Sequence, residues 1–144
     1  WHLLEFDAHR GVQNWVRDLN HLLVQEKALH EFDCRPAGFE WVDCQDSEQS
    51  VVCYLRNGSN LSESIMVIVN FTPVPRWDYR IGVPQAGFWR EVLNSDAGEY
   101  GGSGFGNFGG VWSDPYPHHG RHQSISVKVP PLGMVILKHV EELG

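Results

Sequence analysis

Residues 64–82, SIMVIVNFTPVPRWDYRIG, constrain the fold of this chain more than any other stretch. They begin with five consecutive apolar residues at positions 65–69, and such a run is typical of a strand buried on both faces. Pro73 and Pro75 then remove two backbone donors, so the chain cannot continue as a central strand. We therefore expect the central strand of a sandwich, which leaves its sheet abruptly and presents residues 76–79 beyond it.

Short strand-like segments recur after residue 38 at intervals typical of an all-β sandwich. Asn57 and Gly58 both tolerate positive φ and mark a turn. In residues 124–129 apolar and polar side chains alternate, which predicts a strand with one buried face and one solvent-exposed face. The predicted strands are residues 39–43, 51–56, 65–69, 79–83, 88–93, 125–129 and 134–138. This pattern predicts an all-β fold, an antiparallel β-sandwich.

One helix is predicted ahead of the strands, over residues 9–25. Its apolar residues recur at steps of four, three and four, with Trp15 and Leu22 widening the stripe formed by Val12, Val16, Leu19 and Leu23. This spacing predicts an amphipathic helix that packs on a larger body. Asp7 is the expected N-cap, and Gly11 should weaken the first turn.

Composition limits the classes of function. The 144 residues suffice for one domain with a core, and a hydrophobic fraction of 42% rules out a disordered chain. A formal charge of −7 without any basic block argues against a nucleic-acid partner or an anionic membrane. The apolar runs are too short to cross a bilayer. Three cysteines without CxxC spacing favour free cytosolic thiols, and a start on Trp1 favours a piece cut from a longer protein.

A long glycine-rich loop is predicted over residues 96–123. Such a loop in a compact domain is usually functional or disordered, and five aromatic residues within it argue against disorder. Its glycine cluster lacks the Lys-Ser/Thr ending of a phosphate-binding loop. His118, His119 and His122 lie close together near Asp114, but their spacing fits neither a helical pair nor a zinc finger. We predict no metal site and no cofactor.

Catalytic chemistry has few candidates. Asp96, Glu99 and Asp114 flank the glycine-rich loop and are the only pair-like carboxyl groups near a potential pocket. Surface solvation explains them equally well, so a small hydrolase that uses them is the weaker alternative. We expect no catalytic residue in this chain.

Aromatic side chains are the remaining candidates for binding. Their planar faces could stack on sugar rings, or they could simply anchor the core and loops of the sandwich. The candidates for contact with a sugar are Trp77, Tyr79, Tyr100, Phe105, Trp112 and Tyr116.

The chain closely resembles the C-terminal region of bacterial glycogen (1,4-alpha-glucan) branching enzymes, of the alpha-amylase superfamily. The motifs that carry this resemblance occur in the family's order and cover nearly the whole chain: VRDLNHLLVQEKALHEFD, GFEWVDCQD, NFTPVPRWDYRIGVP, FWREVLNSDAGEYGGSGFGNFGG and HHGRHQSISVKVPPLGMVILK. The resemblance implies that residues 1–32 are the last helical part of an upstream TIM-type catalytic barrel. Residues 33–144 would then be the C-terminal β-sandwich.

The resemblance also implies a function for the parent protein. A branching enzyme cleaves an α-1,4 linkage and transfers the glucan chain to a 6-hydroxyl, with retaining chemistry on two carboxyl groups. The family holds these groups on barrel strands upstream of Trp1, so none is carried over, and the chain alone should be inactive. The family is cytoplasmic and uses no redox cofactor. The implied partners are the upstream barrel and α-glucan, and the apolar helix face should fold back on the sandwich, pair with another copy or stay exposed. The alternative is an autonomous α-glucan-binding module.

Overall fold

Two antiparallel β-sheets packed face to face, with one α-helix outside them, form the chain in a computed structural model that describes residues 2–141. This arrangement confirms the predicted β-sandwich and the preceding helix. The helix is α1, Asp7–Gln25, and the strands are β1, Phe39–Asp43; β2, Val51–Arg56; β3, Ile65–Asn70; β4, Arg76–Val83; β5, Phe88–Asn94; β6, Gly110–Trp112; β7, Gln123–Val129; and β8, Met134–Val140.

The larger sheet has six strands in the order β1-β2-β3-β8-β5-β6, and the smaller sheet pairs β4 with β7. Strand β3 is internal to the larger sheet, between β2 and β8, as its uninterrupted apolar run predicts. Alternate residues of β3 are buried on opposite faces. Met66 and Ile68 belong to the core between the two sheets, whereas Ile65 and Val67 belong to a second cluster on the outer face.

Helix α1 covers that outer face. Leu22 packs with Ile65 and Val67, and Leu19 lies against the same cluster. Only part of the predicted apolar stripe is therefore buried against the sheet, because Val12 and other residues of the helix stay exposed. Asp7 is not the N-cap, contrary to expectation, since Phe6 takes that position in extended conformation and no side chain caps the helix.

Two further details differ from the sequence prediction. Ser124 is fully buried and not solvent-facing, because its hydroxyl accepts a hydrogen bond from Arg80 at 2.8 Å and its backbone bridges Asp114. The glycine-rich loop contains the short strand β6, which pairs with β5. Three residues give too little hydrophobic alternation to predict a strand, so β6 depends on the partner strand.

The cysteines are unpaired, as predicted. Cys34 and Cys44 are exposed, whereas Cys53 lies in the core, where burial, aided by the nearby Asp43 carboxylate, raises the pKa of its thiol to about 12. In the part of the chain that the structure describes, no helix is both long and apolar enough to cross a membrane.

Candidate functional site

A fixed corner carries the chain from the larger sheet to the smaller one. The Asn70 side chain is buried at this corner, and its amide donates hydrogen bonds to the carbonyls of Val74 at 2.8 Å and Pro130 at 3.1 Å. Its carbonyl oxygen accepts from the Thr72 backbone at 3.0 Å and hydroxyl at 2.8 Å. Asn70 thus bonds to both sides of the turn, and the fixed φ angles of Pro73 and Pro75 stiffen it further. This rigid corner fixes where β4 begins.

Strand β4 places Trp77 on the surface. The register between β4 and β7 shifts between Arg76 and Tyr79, and such a bulge redirects the side chains beside it. Trp77 is 60% exposed, yet its ring meets that of Phe105 edge-to-face at 4.8 Å. The Lys128 ammonium lies 5.7 Å from the same ring. These contacts hold an exposed indole in one orientation.

A cleft of about 470 Å³ runs beside β4, and Trp77 is one of its walls. Side chains from β4, from β1 and the turn after it, and from the histidine-containing loop meet here. The lining residues on which the argument depends are Asp43, Asp46, Trp77, Asp78, Arg80 and His119.

Hydrogen bonds fix the deep wall of this cleft. The Tyr79 hydroxyl donates to Asp46 at 2.9 Å, and burial together with this carboxylate raises the pKa of Tyr79. His119 Nδ1 accepts from the Gly82 amide at 3.2 Å, so the ring proton lies on Nε2, 3.2 Å from the Asp43 carboxylate. Asp43 and Asp46 are thus held by partners within the chain.

The rim carries further charged and aromatic groups. The Arg80 guanidinium lies over the Tyr116 ring at 4.8 Å and pairs with Asp114 at 3.4 Å. The His118 ring lies tilted against that of His119, with the ring centroids 4.2 Å apart. Burial lowers the pKa of His118, helped by its neighbours His119 and Arg80. Among residues 2–141, no three His, Cys, Asp or Glu side chains come together as a metal site.

The structure separates the six aromatic candidates. Trp77 and Phe105 contact each other, and Tyr116 stands over Arg80 beside the same cleft. Tyr79 is only 6% exposed, with its ring in the core, so it offers hardly any ring surface to a ligand. Trp112 is exposed elsewhere, on the edge strand β6, against Phe88 at 5.3 Å.

Tyr100 joins the glycine-rich loop to the helix. Its ring meets Trp15 edge-to-face at 5.1 Å, and its hydroxyl donates to Asp18 at 2.8 Å. Burial and this carboxylate raise the pKa of Tyr100. A Cβ on Gly11 would stand 2.3 Å from the Tyr100 carbonyl oxygen. Gly11 therefore permits a close approach, a role that its place near the helix start did not indicate.

The three candidate carboxyl groups have different surroundings. The Asp96 carboxylate accepts from the Ser103 and Phe105 amides at 3.1 Å and 3.3 Å and so ties the glycine-rich loop together. Asp114 pairs with Arg80, and Glu99 is exposed. Asp96 and Asp114 are thus engaged in holding loops.

Sequence reasoning missed the acidic and basic residues of the cleft. Asp43 and Asp46 lie far from Asp78 and Arg80 in the chain, and only the packing of the two sheets brings them together. It also missed an aromatic cluster on the outer face of the larger sheet, where Phe39 lies 4.9 Å from Trp41 and 5.1 Å from Tyr54. The period-2 spacing of Phe39 and Trp41 could have predicted their shared face.

The fold is that of an all-β sandwich domain, and comparison with family models identifies its family. A family model described as "Alpha amylase, C-terminal all-beta domain" matches residues 41–140. The chain belongs to this family.

Curated relatives are more specific. The chain is 56% identical over 139 residues to the 1,4-alpha-glucan branching enzyme GlgB of Aquifex aeolicus, covering 96% of this chain and 22% of that protein. It is 50% identical over 138 residues to GlgB of Trichodesmium erythraeum, covering 96% and 18%. It is 51% identical over 137 residues to GlgB 1 of Xanthomonas campestris, covering 95% and 19%. The predicted resemblance is thereby confirmed, and the chain spans about a fifth of the length of these relatives.

Proposed function

We propose that this chain is the C-terminal domain of a 1,4-alpha-glucan branching enzyme, a glucanotransferase that forms α-1,6 branches in glycogen biosynthesis. The high identity to proteins of that name over nearly the whole chain is the observation that carries the proposal. The exposed thiols of Cys34 and Cys44 support a cytoplasmic location for the parent enzyme, where cysteines stay reduced.

Within the parent enzyme, the domain would brace an upstream catalytic barrel. Residues 1–32 would belong to the end of that barrel and residues 33–144 to the sandwich. Exposed apolar side chains on one side of the chain support this role. They are Val12, Val16 and Leu23 of the helix and Phe39 and Trp41 of the sheet. A surface of this kind is typical of a protein–protein contact.

The boundary near residue 32 is bridged by polar contacts. The Arg56 guanidinium donates to the Leu29 carbonyl at 2.9 Å and to Asp33 at 2.5 Å. The Ser59 amide donates to Glu31 at 2.8 Å. These contacts, with the packing of Leu22, support a helix that stays attached to the sandwich as the barrel and the sandwich meet.

The sequence upstream of Trp1 tests this assignment. We expect eight strands there, separated by helices, with the two carboxyl residues that retaining chemistry needs at strand ends. An unrelated domain upstream would contradict the assignment. The 144-residue chain itself should release no product from amylose, and measurable turnover would favour the hydrolase alternative.

A second candidate function is an autonomous α-glucan-binding module. The exposure of Trp77 favours it, because an indole held at the surface suits a sugar ring. Electrophoresis of the chain through a gel containing glycogen separates the two roles. Clear retardation would establish a glucan contact, and migration equal to that in a plain gel would leave bracing as the only role.

A further inference from the structure

We propose that the cleft beside β4 is an α-1,4-glucan subsite, with Trp77 as the platform for one glucosyl ring and Asp78 and Arg80 as hydrogen-bonding partners for its hydroxyls. This inference rests on the proposed glucan contact and assigns it to one place. It excludes Tyr100 and Trp112, which face other surroundings, and Tyr79, whose ring is buried.

The platform is prepared before a ligand arrives. Trp77 is mostly exposed, so a sugar ring can reach it, but Phe105 and Lys128 hold the indole in place. The Asn70 corner fixes the strand that carries it. A side chain that is already ordered loses little conformational entropy on binding, and this favours affinity. By contrast, Phe108 is 92% exposed, with the Lys128 ammonium 5.1 Å from its ring centroid, so its ring is held less firmly and it is a weaker platform.

The polar groups of the cleft suit a neutral polyhydroxylated ligand. Its walls hold three carboxylates, Asp43, Asp46 and Asp78, and two guanidinium groups, Arg76 and Arg80. Charges of both signs in near balance give no strong preference for a phosphate or a cation. They do supply fixed acceptors and donors side by side, as adjacent sugar hydroxyls require.

The deep wall contributes to the shape of the cleft more than to hydrogen bonds with a ligand. Asp43 and Asp46 are already engaged by His119 and Tyr79, whereas Asp78 is exposed on the strand next to Trp77. A volume of about 470 Å³ is within the range of about 300–1,000 Å³ usual for small-ligand sites. The Trp77 ring and the Asp78 carboxylate are therefore the groups from which a glucan has most to gain.

Titration of the 144-residue chain with maltoheptaose tests the subsite, read by the indole N–H signals in NMR and by retardation in glycogen gels. The Trp77 indole signal should shift, and Trp77→Ala should weaken binding by about tenfold or more. Asp78→Asn should weaken it by about threefold. Trp41→Ala is the matched control, an exposed tryptophan on the opposite side of the sandwich, and it should leave affinity unchanged within about twofold.

The outcomes separate the two proposals. If the wild-type chain binds and Trp77→Ala binds equally well, the subsite is wrong while the glucan contact stands, and loss in Trp112→Ala would move that contact to β6. If the wild-type chain neither shifts nor is retarded, both the subsite and the glucan contact fail, and the bracing role is untouched. Because Trp77 is exposed, Trp77→Ala should leave the NMR spectrum of the folded chain intact. If Trp77→Ala does not fold, Asp78→Asn tests the subsite in its place.

Discussion

The two outer sides of the sandwich differ in chemistry. On the larger sheet, helix α1 covers the outer face with apolar contacts, with Leu22 buried against Ile65 and Val67. Beside the smaller sheet, the cleft is lined by charged side chains, and its contacts are hydrogen bonds such as that between Tyr79 and Asp46. One side buries hydrocarbon, and the other keeps polar groups in fixed positions at the surface.

This difference indicates which side supplies stability and which supplies recognition. Apolar burial is non-directional and stabilises the fold in proportion to area, so it can hold a helix or a neighbouring domain in place. Fixed polar groups around an exposed indole add little to stability but discriminate between ligands. Substitutions on the helix side should therefore change the free energy of unfolding, while substitutions in the cleft should change binding.

Truncation of Leu22 should have the largest effect. Leu22 is 8% exposed, and Leu22→Ala removes its contacts with β3 and leaves a cavity, so we expect a loss of about 3 kcal/mol in unfolding free energy. Val24→Ala is the control on the same helix, since Val24 is 78% exposed, and it should cost less than about 0.5 kcal/mol. Urea titration measures both. Equal effects would mean that the helix does not dock on the sheet.

Alkaline pH should weaken the core beneath the cleft. Since burial raises the pKa of Cys53 to about 12, the folded state keeps its thiol proton while the unfolded state loses it above pH 9. The unfolded state then binds fewer protons, so stability falls as pH rises, by up to about 1.4 kcal/mol per unit. Tyr79 and Tyr100, whose pKa values are also raised, add to this loss as the pH approaches 10, so the share of the thiol is obtained by comparison with a variant that lacks it.

Comparison with Cys53→Ala checks this assignment. The variant should lose less stability than the wild-type chain between pH 9 and pH 10, as measured by urea titration at each pH. Cys34 and Cys44 are present in both proteins, so they do not distinguish the two slopes. Identical slopes for the two proteins would exclude Cys53 as the cause.

Replacement of Gly11 should have the smallest effect, because two terms oppose each other. Alanine is favoured over glycine in a helix by about 1 kcal/mol. The new Cβ would stand 2.3 Å from the Tyr100 carbonyl, a backbone atom that cannot rotate away, and overpacking costs about 1–3 kcal/mol. We expect Gly11→Ala to lower the free energy of unfolding by about 1 kcal/mol.

Gly98→Ala is the control for Gly11, because a Cβ at Gly98 would meet nothing within 4 Å. Its unfolding free energy should change by less than about 0.5 kcal/mol. If Gly11→Ala proved more stable than the wild-type chain in thermal unfolding, helix propensity would outweigh packing, and the contact with Tyr100 would be loose.

Most of the strands could be predicted, because each carries its own signal. The uninterrupted apolar run of β3 predicted a position inside a sheet, and the smaller sheet and helix α1 bury its two faces. The resemblance carried by NFTPVPR and the glycine-rich motif correctly indicated the alpha-amylase C-terminal family. Strand β6 was missed, since its three residues include Gly110 and follow Gly109, and so short a segment has little strand propensity of its own.

The sequence by itself determined the class of fold, the presence of one helix and the family, because hydrophobic periodicity and motif order are local properties of the chain. Only the tertiary structure decided that Asp43, Asp78 and His119 share a cleft, that Tyr79 is buried while Trp77 is exposed, and that Gly11 meets Tyr100. The physical reason is that a strand's spacing predicts alternation but not which face is inward, and a bulge between Arg76 and Tyr79 alters that alternation.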